Sequence, residues 1–391
     1  MAFQLATRGC AMAHCDVRMS DQANVPVHTG INSIRLMDQD RGGSLIGLGV
    51  VSNGEIIVAT YQRKPRLVQY DSAGEKQWDS DQDISFALDA WKSVPMLSVA
   101  GDIVMVDDER IVRFNRQPQG GYEVMFNEAH EERGAPISPV LTDNQYIVVA
   151  LVNGIVLTKH VDGGGEIKKL DLKLGTDTIR NTPCVHQNHV FIPTGEGLIK
   201  VNIADDGEPI EDWTQPVNAT GGDSPLYSNG YVYYSAKEKT IEKFKILKVD
   251  ASNGIVVARS DPIAVQPITA SIAQSPVDNS LYYFVLPNDF IQHIDEDLNT
   301  IDKITKDELG GIPASPMTIT SDNHMIVRTG FGRKAGVTAI DLANNHNHQV
   351  WRIPYEEEDS GAEGAWGQFA IVNKNVFFTT RNKRLHKLYV G

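Results

Sequence analysis

No stretch of this 391-residue chain approaches the roughly 18 consecutive apolar residues that a membrane-spanning helix needs. Positive charge is also short: 36 Lys and Arg stand against 50 Asp and Glu, for a net charge of −14. A surface of that sign repels phosphate backbones and excludes broad electrostatic binding to nucleic acid. Cysteine occurs three times, at Cys10, Cys15 and Cys184, and aromatics make up only 7% of residues. There is no Gly-x-Ser-x-Gly nucleophile elbow, and no Gly-x-Gly-x-x-Gly or P-loop in a strand–helix setting. Met1 to Leu5 shows no basic stretch leading into an apolar one, so no signal peptide is visible in the chain as written.

The chain does hold 41% hydrophobic residues, enough for a large core. Length alone suggests two or three domains, but a repeat overrides that estimate. From Ile31 onward one pattern returns: a small residue with Pro, an apolar stretch, an Asn, Asp or Gly turn, then a β-rich run. The copies open at Ser93-Val94-Pro95, Ser138-Pro139, Thr182-Pro183, Ser224-Pro225, Ser275-Pro276 and Ser315-Pro316. Successive prolines are 44, 44, 42, 51 and 40 residues apart, the period of four-stranded propeller blades. Two further units lack the Pro, one around Gly47–Gly54 and one around Trp366–Val372, which makes eight.

Each unit has a second half in which a strand ends in Asp or Asn, a Gly or Asn turn follows, and a fourth strand often ends in Trp. The clearest copy is Val68–Trp78; weaker ones are Val249–Gly254, Ile340-Asp341 leading to Trp351, and Val201-Asn202 leading to Trp213. Asp offers an acceptor to turn amides and Gly tolerates positive φ, so this is hairpin chemistry. A terminal Trp can wedge against the neighbouring blade. The last unit lacks a fourth strand, and an orphan β-like segment, Ile31–Met37, precedes the first. The expectation is a single all-β domain, an eight-bladed β-propeller over 31–391. Its N-terminal strand at 31–38 closes the last blade, and an arm of residues 1–30 is draped on it. Seven blades with an irregular hairpin is the alternative.

The Ser-Pro opening with the Asp-x-x-x-Gly…Trp hairpin resembles the PQQ-binding-like (quinoprotein alcohol dehydrogenase-like) propeller repeat. That resemblance implies a fold shared by PQQ-dependent dehydrogenases and by cofactor-free scaffolds, and so no single chemistry. Dehydrogenases of the family carry an adjacent Cys-Cys disulfide, a Trp beneath the quinone and a calcium site. Here no two cysteines are adjacent and no calcium set is assignable. Trp366 is the one candidate at a channel position for cofactor binding, and a packed inner-strand aromatic is its plainer reading. The quinone is therefore not expected.

Cys10 and Cys15 sit in a segment that also presents Met12, His14, Met19 and His28. A local disulfide there would imply an oxidising compartment, periplasmic or extracellular, with the cytoplasm as the other reading. The same sulfur and imidazole groups suit copper or zinc. Cys184, His186 and His189 form a second cluster. Cys184 and His186 share a strand face, so His186 joins Cys10, His14, Cys15 and His28 as a metal candidate at the channel mouth. His346, His348 and the run Glu356–Asp359 read as exposed turn and linker. Two functions compete: a binding or scaffold module taking a protein or small-molecule partner at its channel mouth and loops, or a copper-, zinc- or quinone-dependent oxidoreductase or lyase near the arm.

Overall fold

The inner strands of each unit read as near-continuous runs of Val, Ile, Leu, Tyr and Phe, which suits strands buried on both faces, while outer strands alternate. The computed structural model describes residues 3–6, 10–13, 15–39, 44–50, 56–61, 67–71, 75–80, 93–118, 120–132, 134–175, 178–179, 181–195, 197–216, 224–237, 244–262, 271–284, 289–330, 334–343, 348–355, 369–372, 374–380 and 384–391. Trp366, His14, His346 and the acidic run 356–359 lie outside them.

After β1 (Gln22–Ala23) and β2 (Ser33–Gln39), the chain forms antiparallel four-stranded sheets one after another. The first holds β3 (Ser44–Val50), β4 (Ile56–Tyr61), β5 (Leu67–Tyr70) and β6 (Lys76–Asp79). The second holds β7 (Met96–Leu97), β8 (Ile103–Val106), β9 (Arg110–Arg116) and β10 (Tyr122–Ala129). The third runs through β11 (Val140–Leu141), β12 (Tyr146–Ala150), β13 (Ile155–His160) and β14 (Lys168–Asp171). The fourth has β15 (Cys184–His186), β16 (His189–Pro193), β17 (Leu198–Ile203) and β18 (Pro209–Gln215). The fifth has β19 (Leu226–Ser228), β20 (Tyr231–Lys237), β21 (Phe244–Asp250) and β22 (Val256–Arg259). The sixth has β23 (Ala273–Gln274), β24 (Leu281–Phe284), β25 (Phe290–Ile294) and β26 (Thr300–Thr305), followed by the one-turn helix α1 (Lys306–Leu309). The seventh has β27 (Thr318–Thr320), β28 (His324–Thr329), β29 (Gly336–Asp341) and β30 (His348–Pro354). The last has β31 (Ala370–Val372), β32 (Asn375–Thr380) and β33 (Arg384–Tyr389), and β2 pairs antiparallel with β33 as its fourth strand.

One repeat boundary needs correction. Ser275-Pro276 does not open a unit: it sits in the turn after β23, where Ser275 N donates to Ser280 O. The residue two places ahead of β23 is the buried Ser271, placed as Ser224 is ahead of β19. Strands β19, β23 and β27 begin at 226, 273 and 318, so these units are 47 and 45 residues long, where the prolines gave 51 and 40. A Ser-Pro pair four residues downstream imitates the motif because turn chemistry also favours both residues.

Neighbouring sheets are joined by the wedges the repeat predicts. Trp78 of β6 packs on Phe114 and Tyr122 of the second sheet, with centroids 5.6 and 4.6 Å away. Trp351 of β30 buries itself with Phe369, Ile371 and Phe378 of the last sheet. Buried cations on third strands tie sheets as well. Arg113 donates to Val161 O (2.8 Å) and Asp162 (3.0 Å), and Lys248 pairs with Asp297 (2.9 Å). The turn between third and fourth strands lies so close to the preceding sheet that its glycines face aromatics: Gly254 lies under Trp213 and Gly207 under Tyr146.

These two contacts explain why Gly is required beyond its φ. Gly207 (φ +87°) has no room for a Cβ beside the Tyr146 ring, whereas Gly230 (φ +85°) opens to solvent. Gly207→Ala is expected to cost about 2–3 kcal/mol and Gly230→Ala about 1 kcal/mol, because both lose the left-handed allowance but only the first also overpacks. Urea midpoints of the two variants check this, and equal shifts would show that the Tyr146 contact carries nothing.

Candidate functional site

Closing sheets around an axis leaves the inner edge of each innermost strand without a strand partner. On each described inner strand from β7 to β31, the residue one pair before the hairpin turns its N–H away from the second strand. These residues are Leu97, Leu141, Val185, Tyr227, Gln274, Ile319 and Ile371. Five of the seven donate to carbonyls of the N-terminal arm. Leu97 N reaches Ala11 O (2.8 Å), Val185 N reaches Val17 O (2.7 Å) and Tyr227 N reaches Arg18 O (3.0 Å); Gln274 N reaches Ser20 O (3.0 Å) and Ile319 N reaches Asp21 O (2.9 Å). The arm thus runs around the inside of the ring, visiting sheets in chain order.

At β27 it becomes a strand. β1 pairs in parallel, Gln22 opposite Ile319 and Ala23 opposite Thr320. Beyond it Ser321 N donates to Val25 O, His28 N donates to Lys374 O, and Trp351 Nε1 donates to His28 O (3.2 Å). The sequence supports this path with small and apolar side chains. Phe3, Cys10, Ala11, Met12, Met19, Ala23, Val27 and Ile31 are all buried, and each large one contributes about 1.5–3 kcal/mol of burial. Three non-glycine residues, Cys15 (φ 69°), Met19 (φ 59°) and Asp21 (φ 53°), take the left-handed conformation within seven residues. Asp16 pins the bends: its carboxylate accepts from Arg18 Nε and Nη2 (3.2 and 3.0 Å), Ser20 N (3.1 Å) and Ser20 Oγ (2.8 Å).

Of the metal candidates, the structure brings Cys10 and Cys15 together as a disulfide, which closes the loop at the arm's reversal. His14 and Trp366 are outside the described residues. His28 is exposed, lies against the turn of the last sheet and accepts from Gly30 N at Nδ1 (3.0 Å). His186 belongs to the fourth sheet and stacks on Tyr227 of the fifth at 4.1 Å, so the face it shares with Cys184 looks between sheets and not down the axis. Burial pushes the Cys184 thiol well up, with the Asp16 charge adding to it, and burial with the Lys200 charge pulls His189 down. Among the described residues no three His, Cys, Asp or Glu side chains are grouped to hold a metal.

No family model matches the sequence, and no curated protein matches it. Solved structures do match. BamB from Moraxella catarrhalis superposes with a TM-score of 0.60 at 12% identity, over 92% of this chain and 96% of that one. Quinohemoprotein alcohol dehydrogenase from Comamonas testosteroni gives 0.67 at 9% identity, over 98% and 81%. Virginiamycin B lyase from Staphylococcus aureus gives 0.51 at 13% identity, over 91% and 98%. The fold is a β-propeller. At these identities the likenesses extend to the fold and no further.

Sequence reasoning missed the route of the arm, and it also missed His386. That imidazole stacks on Phe378 (5.1 Å, 16°) beside Tyr355, and Tyr355 in turn accepts from Arg328 Nε. Burial, then Arg384 and Arg328, pull its pKa down to about 4. The unfolded chain therefore takes up a proton near the ordinary value of about 6.5 that the folded chain refuses until about pH 4. Stability falls as pH drops through that window, by about 3 kcal/mol in all, and is insensitive to this group above it. His386→Phe should flatten that part of the pH–stability curve, measured by chemical denaturation at pH 4.5 and 7.

Asp16→Ala removes four accepted hydrogen bonds from the arm and should loosen Val17 over Cys184. Alkylation of the native Cys184 thiol is expected to accelerate at least about tenfold, the effect of roughly 1.4 kcal/mol on local opening. An unchanged rate would show that the arm is held without Asp16.

Proposed function

We propose that this chain is an eight-bladed propeller of the PQQ-like repeat type, its ring closed by β2 on β33, that serves as a binding or scaffold module through its loops and the channel mouth the arm leaves open. The observation that carries this reading is the arm. Main-chain donors of five inner strands are spent on the chain's own carbonyls, so the channel interior is built as structure. Seven four-stranded sheets and an eighth of five strands, β1 included, support the blade count, and the antiparallel register from Ser33–Tyr389 to Gln39–Arg384 supports the closure. The likeness to BamB fits a protein partner, and the Cys10–Cys15 disulfide fits a periplasmic or extracellular setting.

The competing reading is an oxidoreductase or lyase using copper, zinc or a quinone near the arm, and it draws on the likeness to the quinohemoprotein dehydrogenase. It asks Cys10, His14, Cys15, His28 and His186 to converge. Cys10 and Cys15 are instead bonded to one another, and His28 and His186 lie against different sheets.

Elemental analysis, a visible spectrum and titration with PQQ and calcium, followed by dye-linked alcohol oxidation, separate the two. The binding reading expects less than about a tenth of an equivalent of metal or quinone and no turnover. It also expects photo-crosslinkers at the exposed hairpin residues Val99 and Val277 to capture one and the same partner, and one at Val257 on the outer strand β22 to capture none. A stoichiometric cofactor with turnover would overturn it.

A further inference from the structure

The fourth sheet carries two histidines at the base of its inner hairpin. His186 closes β15 and His189 opens β16, with only Gln187 and Asn188 between them, and the two are direct cross-strand partners. Directly opposite residues of an antiparallel pair send their side chains to the same side of the sheet, with Cβ atoms about 4.5–5.5 Å apart. The backbone itself therefore sets two imidazoles side by side. Three bonds pin the turn that joins them. Asp143 N donates to Gln187 O (3.1 Å), Asn144 N to Asn188 Oδ1 (3.0 Å) and Ile203 N to Asn188 O (2.8 Å).

The rings are oriented as well. His186 stacks on Tyr227 with centroids 4.1 Å apart and planes 10° from parallel, so that contact covers the face of the imidazole and not the edge that carries its nitrogens. His189 gives one ring N–H to the main-chain carbonyl of His186 and so presents its other nitrogen as a lone pair. That outer bond is the one metal-ligating histidines use to fix their tautomer. Burial, then the Lys200 charge, hold the His189 pKa below its ordinary value, which keeps the ring in the neutral form a metal takes. Lys200 is itself paired with Asp212 (2.8 Å), whose charge acts on His189 in the opposite sense. Both histidines are half-buried, within reach of solvent. Cys184, on the same face of β15, is fully buried with its thiol pushed well up, which removes it as a thiolate ligand.

We propose that His186 and His189 form a cross-strand chelate for one divalent first-row metal ion, with water in its remaining positions. Imidazole suits copper, nickel and zinc, and the stability order puts Cu²⁺ ahead of both Ni²⁺ and Zn²⁺, while Mg²⁺ and Ca²⁺ prefer oxygen ligands. Both nitrogens bind as lone-pair donors. Two protein ligands hold an ion less firmly than the three or four of a resident centre. The pair therefore fills from added metal and implies no ion in the chain as isolated. It uses neither sulfur of the disulfide, and it stands whether the propeller takes a protein or a small molecule.

Calorimetric titration of the metal-stripped full chain with CuCl₂ and NiCl₂ tests it, with electron paramagnetic resonance of the Cu²⁺ form as a second readout. The background variant His346→Ala/His348→Ala silences the other closely spaced histidines. In that background one equivalent of metal should bind, and the Cu²⁺ spectrum should show coupling to two imidazole nitrogens. Adding His186→Gln or His189→Gln should weaken binding at least about tenfold, the loss that even an outer-shell change produces, with the far-ultraviolet circular dichroism unchanged. His28→Ala should leave binding as it was, and MgCl₂ should not compete. Absence of binding at millimolar Cu²⁺, or binding that survives both Gln substitutions, would overturn the chelate. Fewer than two coupled imidazole nitrogens in the background variant would do the same, even if a Gln variant failed to fold.

Discussion

Everything in this structure follows from the fate of sheet edges. A blade has two, and both carry rows of main-chain donors and acceptors that are costly to bury unpaired and hazardous to expose. Arranging sheets around an axis brings all the inner edges together in one confined place. The arm is the answer to that confinement. It supplies carbonyls one after another to Leu97, Val185, Tyr227, Gln274 and Ile319, and it packs Met12 and Met19 where solvent would otherwise stand.

The outer edges are handled differently. Seven of the eight outer pairings carry a register shift, for example between Lys200 and Val201 against β18 and between Leu36 and Asp38 in β2. Such bulges twist an edge away from flat pairing with another chain. The exception, β14, is regular but carries Lys168 and Lys169, which pair with Asp206 (2.7 Å) and Glu132 (2.5 Å). Charge there does what the bulge does elsewhere.

This division explains what could be read from the sequence. Blade period, hairpin Asp–Gly turns and terminal Trp wedges depend on side-chain chemistry, so Val68–Trp78 and the Trp351 unit announce themselves. Ser275-Pro276 misled because a turn can present the same two residues as a blade opening. The arm was nearly illegible for a physical reason. Its bonds to the five inner strands run from backbone to backbone, so no side-chain period marks the segment. Only the unusual density of small and sulfur-bearing residues from Cys10 to Met19 hints that the segment is buried. The same density offers soft metal ligands as the second reading beside a disulfide-stapled arm, and in the structure Cys10 and Cys15 are bonded to one another. His386 was invisible because its properties come first from burial, with Phe378 stacked on it across the hairpin, and then from Arg384 and from Arg328, 58 positions away in the chain.

The same edge argument bears on recognition. Many sheet proteins bind partners by adding a strand, which needs a flat edge with free amides. Here the outer edges are bulged or charged and five of the seven described inner strands hold the arm, so strand addition has few places to begin there. Under the binding reading proposed above, affinity would come from side chains on hairpin turns, where exposed residues such as Val99 and Val277 sit. Those turns vary from blade to blade, from two residues between His186 and His189 to the longer turn after Gln274, while the strands behind them stay alike. Among the described residues, the turns differ in length and side chains while the sheets behind them keep one pattern.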